Sequence, residues 1–169
     1  GSISASKIFK TGNIKFPMTS AAIKINDNMP ISSINILKKE LGSFKGKTIG
    51  IMGITYRENV GDYRYSPANF FSQSISKKGG KILAFDPMVK IWKDFKNLDV
   101  SEMFDISRVD AIILTIPHKS FKQINYLKIL KKNKKKLLIL DAFDILTKNQ
   151  IKQINMKKCK IISIGRGQQ

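Results

Sequence analysis

The chain has 169 residues, 42% of them apolar, which fits a single globular domain with a short additional element. The formal charge is +19, but the apolar content is too high for a disordered protein, and no apolar run is long enough to cross a bilayer. The single cysteine, Cys159, excludes an internal disulfide, and with the single histidine, His118, it argues against a zinc site and suits the reducing cytoplasm.

The lysines are spread along the whole chain rather than gathered on one predicted helix. The densest run, at 131–136, follows a predicted helix, where cations complement the helix dipole and stay solvated. We therefore interpret the charge as a feature of general composition, with no membrane or nucleic-acid partner expected. A basic α/β module that binds nucleic acid remains the alternative.

The N-terminal part of the chain predicts one amphipathic helix. Gly1 and Ser2 are typical of a cloning scar, residues 3–18 have no regular period, and no targeting segment is predicted. Helical spacing of the apolar residues follows over 19–41, ending at a plausible glycine cap, and Pro30 is expected to kink or restart this helix. Its apolar face predicts packing on the following domain or on a second copy of the chain. The residues of this face are Ile31, Ile34, Leu37 and Leu41.

From residue 47 onward, continuous apolar strands alternate with helical segments. This rhythm indicates a parallel sheet covered on both faces, so we predict an α/β fold, a three-layer α/β/α sandwich with a Rossmann-like sheet of about five to six strands. Strands are predicted at 47–54, 81–86, 110–116, 136–141 and 159–164, with a short sixth near 98–100, and helices at 66–80, 101–107, 119–133 and 147–156. The predicted domains are 1–18 (tag and irregular segment), 19–45 (helical segment) and 46–169 (α/β domain), and strand 47–54 is expected between 81–86 and 110–116.

The loop 55–65 is expected to carry the function, because ligands of open parallel sheets bind at the carboxyl ends of strands next to the switch point. A dinucleotide fingerprint would place a tight glycine turn here, but no glycine lies between Gly53 and Gly61. The second strand ends in an acid, Asp86, which can equally belong to a turn before proline. The domain is therefore predicted to be Rossmann-like without the NAD fingerprint.

Two of the four arginines in this lysine-rich chain, Arg57 and Arg64, lie in that loop among tyrosines. Arginine presents a planar fork that matches phosphate oxygens in pairs, and Ser66 with a following proline predicts a helix N-terminus that closes the loop. This combination predicts an anion site. The alternative is that the two arginines pair with Glu58 and Asp62 and only stiffen the loop, and the residues alone leave both interpretations open.

The stretch "GIMGITYRENVGDYRYSPA" resembles the UDP-glucose/GDP-mannose dehydrogenase family at the junction between its central helix and its C-terminal domain. In that family a strand (V/I)-G-(V/I)-x-G precedes an aromatic and a basic residue and then D-x-R-x-S-(P/S). The stretches "KILAFDP" and "VDAIILTIPHKSF" and the closing "IGRG" are less specific matches. The resemblance extends from about residue 20 to the end of the chain.

The resemblance implies the C-terminal UDP-sugar-binding domain of an NAD-dependent enzyme that oxidises a sugar C6 alcohol to a carboxylate. It implies that Tyr56 and Arg57 contact the nucleotide sugar, and that Arg64 reaches NAD bound mainly by another domain. It also implies a homodimer formed through the N-terminal helix. The family's catalytic cysteine lies upstream and Cys159 does not match it, so no catalytic residue and no metal ligand is assigned, and the chain alone is expected to be inactive.

Two departures from the family pattern bear on the substrate. The basic residue at Arg57 is usually lysine, and Phe143 with Asp144 stands where several relatives carry a substrate-binding arginine. The nucleotide sugar can therefore differ from UDP-glucose, or Arg166 can supply the charge; His118 is a further candidate for ligand contact, though a structural histidine is favoured. A non-catalytic nucleotide-binding or oligomerisation domain is kept as a further alternative.

Overall fold

The structure, a computed structural model, describes the backbone of residues 17–164 and the side chains from residue 29 onward. Its strands, in chain order, are β1 (Thr48–Met52), β2 (Lys81–Phe85), β3 (Ile91–Trp92), β4 (Leu98–Asp99), β5 (Ala111–Leu114), β6 (Leu137–Asp141) and β7 (Cys159–Ser163). Five of them form a parallel sheet in the order β2-β1-β5-β6-β7. The prediction of a parallel sheet with the first strand between the second and the third principal strand is confirmed.

The helices cover both faces of this sheet. They are α1 (Pro17–Leu41), α2 (Pro67–Lys77), α3 (Tyr126–Ile129) and α4 (Lys148–Asn155), with 3-10 turns at Ile106–Arg108 and Lys119–Gln123. Alternate residues of a strand point to opposite faces, so Ile113 of β5 packs with α1 and α2, whereas its neighbour Ile112 packs with α3 and α4. Both residues are fully buried, which confirms the three-layer sandwich.

Helix α1 docks on the α/β core. Ile34 and Leu37 are buried in the same apolar cluster as Phe71 and Ile75 of α2, whereas Ile31 stays half exposed. The helix runs through Pro30 without a break, so of the two outcomes predicted there the restart is wrong and the kink stays a prediction. A proline removes a single N–H donor, and the neighbouring helical hydrogen bonds continue the helix. Docking on the domain is one of the two packing modes predicted for this face. Dimerisation and the division at residue 45 stay predictions.

Two predicted helices were wrong because side chains compete for backbone groups, and the predicted short strand near 98–100 forms outside the main sheet. Segment 98–100 pairs not with the sheet but with β3, as a two-stranded antiparallel ribbon. A helix over 101–107 shrinks to a 3-10 turn, because the carboxylate of Asp105 accepts the Ser107 N–H and favours a turn. The helix predicted at 119–133 divides in two, because the Asn125 side chain caps a new start by accepting the Lys128 N–H.

Candidate functional site

The candidate loop, residues 53–66, leaves the carboxyl end of β1, next to the point where the strand order reverses between β1 and β5. Its first residue, Gly53, has φ +99°, and a Cβ there would lie 2.9 Å from the Cβ of Ile116 and 3.0 Å from Oγ1 of Thr115. Only glycine fits so close to the neighbouring strand. The Thr115 hydroxyl also donates to the carbonyls of Met52 and Gly53, so the start of the loop is fixed.

A buried acid and a buried imidazole lie directly under the loop. Asp86 follows β2 and His118 follows β5, and neither side chain has any exposed surface. His118 Nε2 lies 2.9 Å from Asp86 Oδ2 and 3.0 Å from the Thr55 hydroxyl oxygen, while His118 Nδ1 accepts the Asn59 N–H at 3.0 Å. We call these four residues, Asp86, His118, Thr55 and Asn59, the loop anchor. It joins the ends of three parallel strands.

Both carboxylate oxygens of Asp86 accept hydrogen bonds from the protein itself. Its Oδ2 accepts the N–H groups of Ile54 (2.8 Å) and Thr55 (3.2 Å) besides His118, and its Oδ1 accepts the Met88 N–H (2.8 Å). Burial raises the pKa of this carboxyl, but the hydrogen bonds from His118, Met88 and Ile54 outweigh burial and leave the pKa below its usual value. The acid is therefore a buried carboxylate at neutral pH.

These hydrogen bonds decide whether Asp86, the acid after β2, is a ribose ligand of a dinucleotide site or a residue of the turn before Pro87. In a dinucleotide site the acid at this position accepts a hydrogen bond from a ribose hydroxyl. Both oxygens of Asp86 are already engaged and the side chain is inaccessible, so it serves the turn and the loop anchor instead. Together with the missing glycine turn, this means that the loop does not fit NAD as its own dinucleotide site.

Tyr56, Arg57 and Glu58 form the exposed crest of the loop, and Tyr56 is 56% exposed. The backbone beneath them is held, since the Tyr56 N–H donates to the Asp62 carbonyl at 2.6 Å and the Thr55 hydroxyl donates to the Arg57 carbonyl at 3.0 Å. Among the side chains from residue 29 to 164, no ion pair engages Arg57. The predicted pairing of Arg57 with Glu58 is thus not found there.

Arg64, in contrast, forms a bidentate ion pair. Its Nε and Nη2 donate to the two carboxylate oxygens of Asp62 at 3.1 and 2.9 Å. The hydrogen bonds from Arg64 lower the pKa of Asp62 to about 2. For this arginine the structure shows the pairing that stiffens the loop, on the rim of an open depression of about 430 Å³. The depression is lined by Gly61, Asp62, Tyr63, Arg64 and Asp94, and Arg57 is not among these residues.

A helix N-terminus closes the loop as predicted. The Ser66 hydroxyl accepts the Ala68 N–H at 3.1 Å, and Pro67 is the first residue of α2. Tyr65, just before the cap, has φ +60°, an uncommon backbone for a tyrosine, and its side chain is 57% exposed. The loop therefore presents two exposed tyrosines, Tyr56 and Tyr65, on either side of the fixed backbone.

The other residues weighed from the sequence lie apart from the crest or outside the described part. Asp144, at φ +59°, is exposed in the turn after β6 with Phe143 half-buried beside it, and Arg166 lies outside the described residues. Cys159 is half-buried at the first residue of β7, where burial raises the pKa of its thiol, so it is no activated nucleophile. No cluster of metal-ligand type occurs among the side chains of residues 29–164, and within residues 17–164 no helix is long and apolar enough to span a bilayer.

The loop anchor was not predicted from the sequence. Asp86 and His118 were each noted, but as a turn residue and as a candidate for ligand contact, and Thr55 and Asn59 were not singled out. The available signal was that both residues follow predicted parallel strands, whose carboxyl ends meet at one edge of the sheet. His118 contacts the loop rather than the surface, which agrees with the structural role favoured for it.

Comparison with known proteins gives a consistent result. Residues 50–148 match the UDP-glucose/GDP-mannose dehydrogenase family, UDP binding domain. The chain is 28% identical over 162 residues to a UDP-glucose 6-dehydrogenase of Rickettsia bellii, with 92% of this chain and 37% of that protein covered. It is 37% identical over 120 residues to a UDP-N-acetyl-D-mannosamine dehydrogenase of Methanococcus maripaludis, with 68% of this chain and 26% of that protein covered.

Solved structures support the fold. A UDP-D-ManNAc dehydrogenase from Pyrococcus horikoshii superposes with a TM-score of 0.70 at 22% identity, covering 94% of this chain and 36% of that one. An NDP-N-acetyl-D-galactosaminuronic acid dehydrogenase from Methanosarcina mazei superposes with a TM-score of 0.73 at 20% identity, covering 96% and 36%. The chain thus spans about a third of the length of the relatives that it matches.

Proposed function

The chain belongs to the UDP-glucose/GDP-mannose dehydrogenase family and carries its UDP binding domain, and from that premise we propose that loop 53–66 binds the UDP part of a nucleotide sugar. The complete enzyme is proposed to be an NAD-dependent nucleotide-sugar 6-dehydrogenase. It would oxidise a sugar C6 alcohol to a carboxylate in the cytoplasm. No catalytic residue is assigned within this chain, and we expect no turnover from it alone.

One observation carries the proposal: Arg57 has no ion-pair partner among the described side chains, yet its backbone is fixed. A free guanidinium offers its planar fork to phosphate oxygens, and a fixed backbone lowers the entropy lost on binding. A loop-stiffening arginine would instead show a carboxylate partner, as Arg64 does with Asp62. Tyr56, exposed beside Arg57, is proposed to pack on the base or sugar.

Arg64 is proposed to serve a different ligand, the NAD held elsewhere in the complete enzyme. It lines a depression that Arg57 does not line, and it pairs with Asp62, which partly neutralises its charge. Contact with a phosphate there would require the guanidinium to share or leave that carboxylate. The two arginines are thus proposed to act on two ligands at one edge of the sheet, while the loop's own geometry does not hold the dinucleotide.

The test is calorimetry of UDP with the unmodified chain and with single alanine variants. Arg57→Ala is expected to weaken UDP binding by about 1.5–3 kcal/mol, the range for a charged hydrogen-bond partner. Arg64→Ala and Arg108→Ala are expected to change affinity by less than about 0.5 kcal/mol. Arg108 is the matched control, because it is also an exposed arginine but lies before β5, at the opposite edge of the sheet.

Three results would count against the proposal. The first is no UDP binding by the unmodified chain at millimolar concentration, and the second is equal weakening by all three alanine variants. The third is tight binding of nucleic acid with affinity that falls steeply with salt, since that dependence reports neutralisation of several phosphates by the lysine surface. This last outcome would favour the nucleic-acid-binding alternative.

A further inference from the structure

His118 does not contribute packing alone, because both of its ring nitrogens have polar partners. Nε2 lies 2.9 Å from Asp86 Oδ2, and Nδ1 accepts the Asn59 N–H at 3.0 Å. The ring edge packs against Phe121, with the centroids 5.2 Å apart and the planes at 85°. The imidazole is therefore fixed in position and orientation from several sides, with no exposed surface.

The hydrogen bonds also fix which nitrogen carries the proton. Nδ1 accepts from Asn59, so it is unprotonated, and the single proton lies on Nε2, facing the Asp86 carboxylate. Asp86 thus selects the tautomer, and the tautomer supplies the acceptor that Asn59 needs. Through His118, the residue that follows β2 (Asp86) is linked by hydrogen bonds to Asn59 in the loop after β1.

Asn59 is the point where this arrangement holds the crest of the loop. Its backbone has φ +58°, in the left-handed region that asparagine adopts more readily than most other non-glycine residues. Besides the bond to His118, its side-chain oxygen accepts the Lys119 N–H at 3.4 Å. At the other end of the crest, the N–H groups of Ile54 and Thr55 are held by Asp86. The crest is therefore tied down on both sides.

We propose that His118 is a positioning residue for nucleotide binding: by accepting the Asn59 N–H it holds the crest of Tyr56 and Arg57 in the geometry that receives the ligand. This inference rests on the proposed function. His118 is buried and does not reach the ligand, so it would change the affinity for the nucleotide only through the backbone of the loop.

Two amide variants separate positioning from stability. In His118→Asn the amide oxygen takes the place of Nδ1 and can accept the Asn59 N–H, but contact with Asp86 is lost. In His118→Gln the amide nitrogen takes the place of Nε2 and can donate to Asp86, but Asn59 loses its acceptor. Thermal unfolding is expected to rank Gln above Asn, because a buried carboxylate without its partner is costly. Affinity for UDP is expected to rank them in the opposite order.

In calorimetry, we expect His118→Gln to weaken UDP binding about tenfold and His118→Asn less than about threefold. The control is Val109→Ala, a buried position before β5 at the opposite edge of the sheet, which is expected to lower the unfolding temperature without changing UDP affinity. If affinity follows stability across the three variants, or if His118→Gln binds UDP as well as the unmodified chain, the inference is overturned. No binding by the unmodified chain would instead refute the proposed function.

A second measurement needs no variant. The imidazole ¹⁵N shifts of the unmodified chain should show an unprotonated Nδ1 and a protonated Nε2, and the Asn59 amide should be protected from hydrogen exchange. The opposite tautomer, or an Asn59 amide that exchanges as fast as those of exposed loop residues, would overturn the inference even if the variants fail to fold.

Discussion

Replacing Asp86 by alanine should destabilise the domain strongly, because four donors lose their acceptor at once. The N–H groups of Ile54, Thr55 and Met88 and the His118 Nε2 all lie within 3.2 Å of its carboxylate. Water in the new cavity can satisfy some of them. Two donors left without a partner, at about 1–3 kcal/mol each, give a loss of about 2–6 kcal/mol.

The assay is urea and thermal unfolding of the unmodified chain, Asp86→Ala and Asp94→Ala. For a chain of this size, a loss of about 2–6 kcal/mol corresponds to a fall in Tm of roughly 4–24 °C. Asp94 is the matched control: an exposed aspartate for which no hydrogen bond is found among the described residues, expected to change stability by less than about 0.5 kcal/mol. A loss below about 1 kcal/mol for Asp86→Ala would refute the reasoning.

The stabilisation from Asp86 should also depend on pH in a defined direction. Its pKa in the folded state lies below the ordinary aspartate value of 3.8, since hydrogen bonding outweighs burial. The charged carboxylate therefore stabilises the fold above that ordinary value, and the contribution is lost as the pH falls through the lowered pKa of the folded state. The difference in unfolding free energy between the unmodified chain and Asp86→Ala should shrink on acidification. A difference that grows in acid would contradict this sign.

Two further predictions concern the second arginine and the N-terminal helix. Arg64→Ala should return the pKa of Asp62 from about 2 towards its ordinary value of 3.8, measured by the ¹³C shift of its carboxyl carbon; an unchanged pKa would contradict the ion pair. Leu37→Ala should cost about 2–5 kcal/mol in unfolding free energy, because this fully buried side chain docks α1 on the core; a loss below about 1 kcal/mol would contradict that docking. Ile31→Asp, on the half-exposed side of α1, should dissociate the proposed homodimer in light scattering; an unchanged dimer, or a monomer before the change, would refute dimerisation through this surface.

The loop anchor distinguishes this Rossmann-like unit from a dinucleotide-binding site. In a dinucleotide site the acid after β2 faces the ribose. Here that acid, Asp86, is buried and accepts hydrogen bonds from backbone N–H groups and from His118. The loop after β1 lacks the glycine turn, and its exposed residues include Tyr56 and Arg57. Under the proposed function, the guanidinium of Arg57 would take the place that backbone amides at a glycine turn have in a dinucleotide site.

Local patterns in the sequence predicted the five principal strands, the cap of α2 and the sheet order. Short continuous apolar runs that alternate with helical segments are typical of parallel strands buried on both faces, and the observed sheet has β1 between β2 and β5 as predicted. Ser66 before Pro67 predicted the start of α2, because a serine side chain can cap a helix by accepting a backbone N–H of its first turn. The position of the candidate loop followed as well, because parallel strands share one carboxyl edge.

Only the tertiary structure decided which side chains in and under the loop find partners. Asp86 and His118 are separated by 32 positions, and Asn59 and His118 by 59, so no local period joins them. Their pairing depends on the relative heights of three strand ends, which packing of the whole sheet sets. The same holds for the arginines: both were equally available in the sequence, but the fold gave a carboxylate to Arg64 and left Arg57 without one among the described side chains.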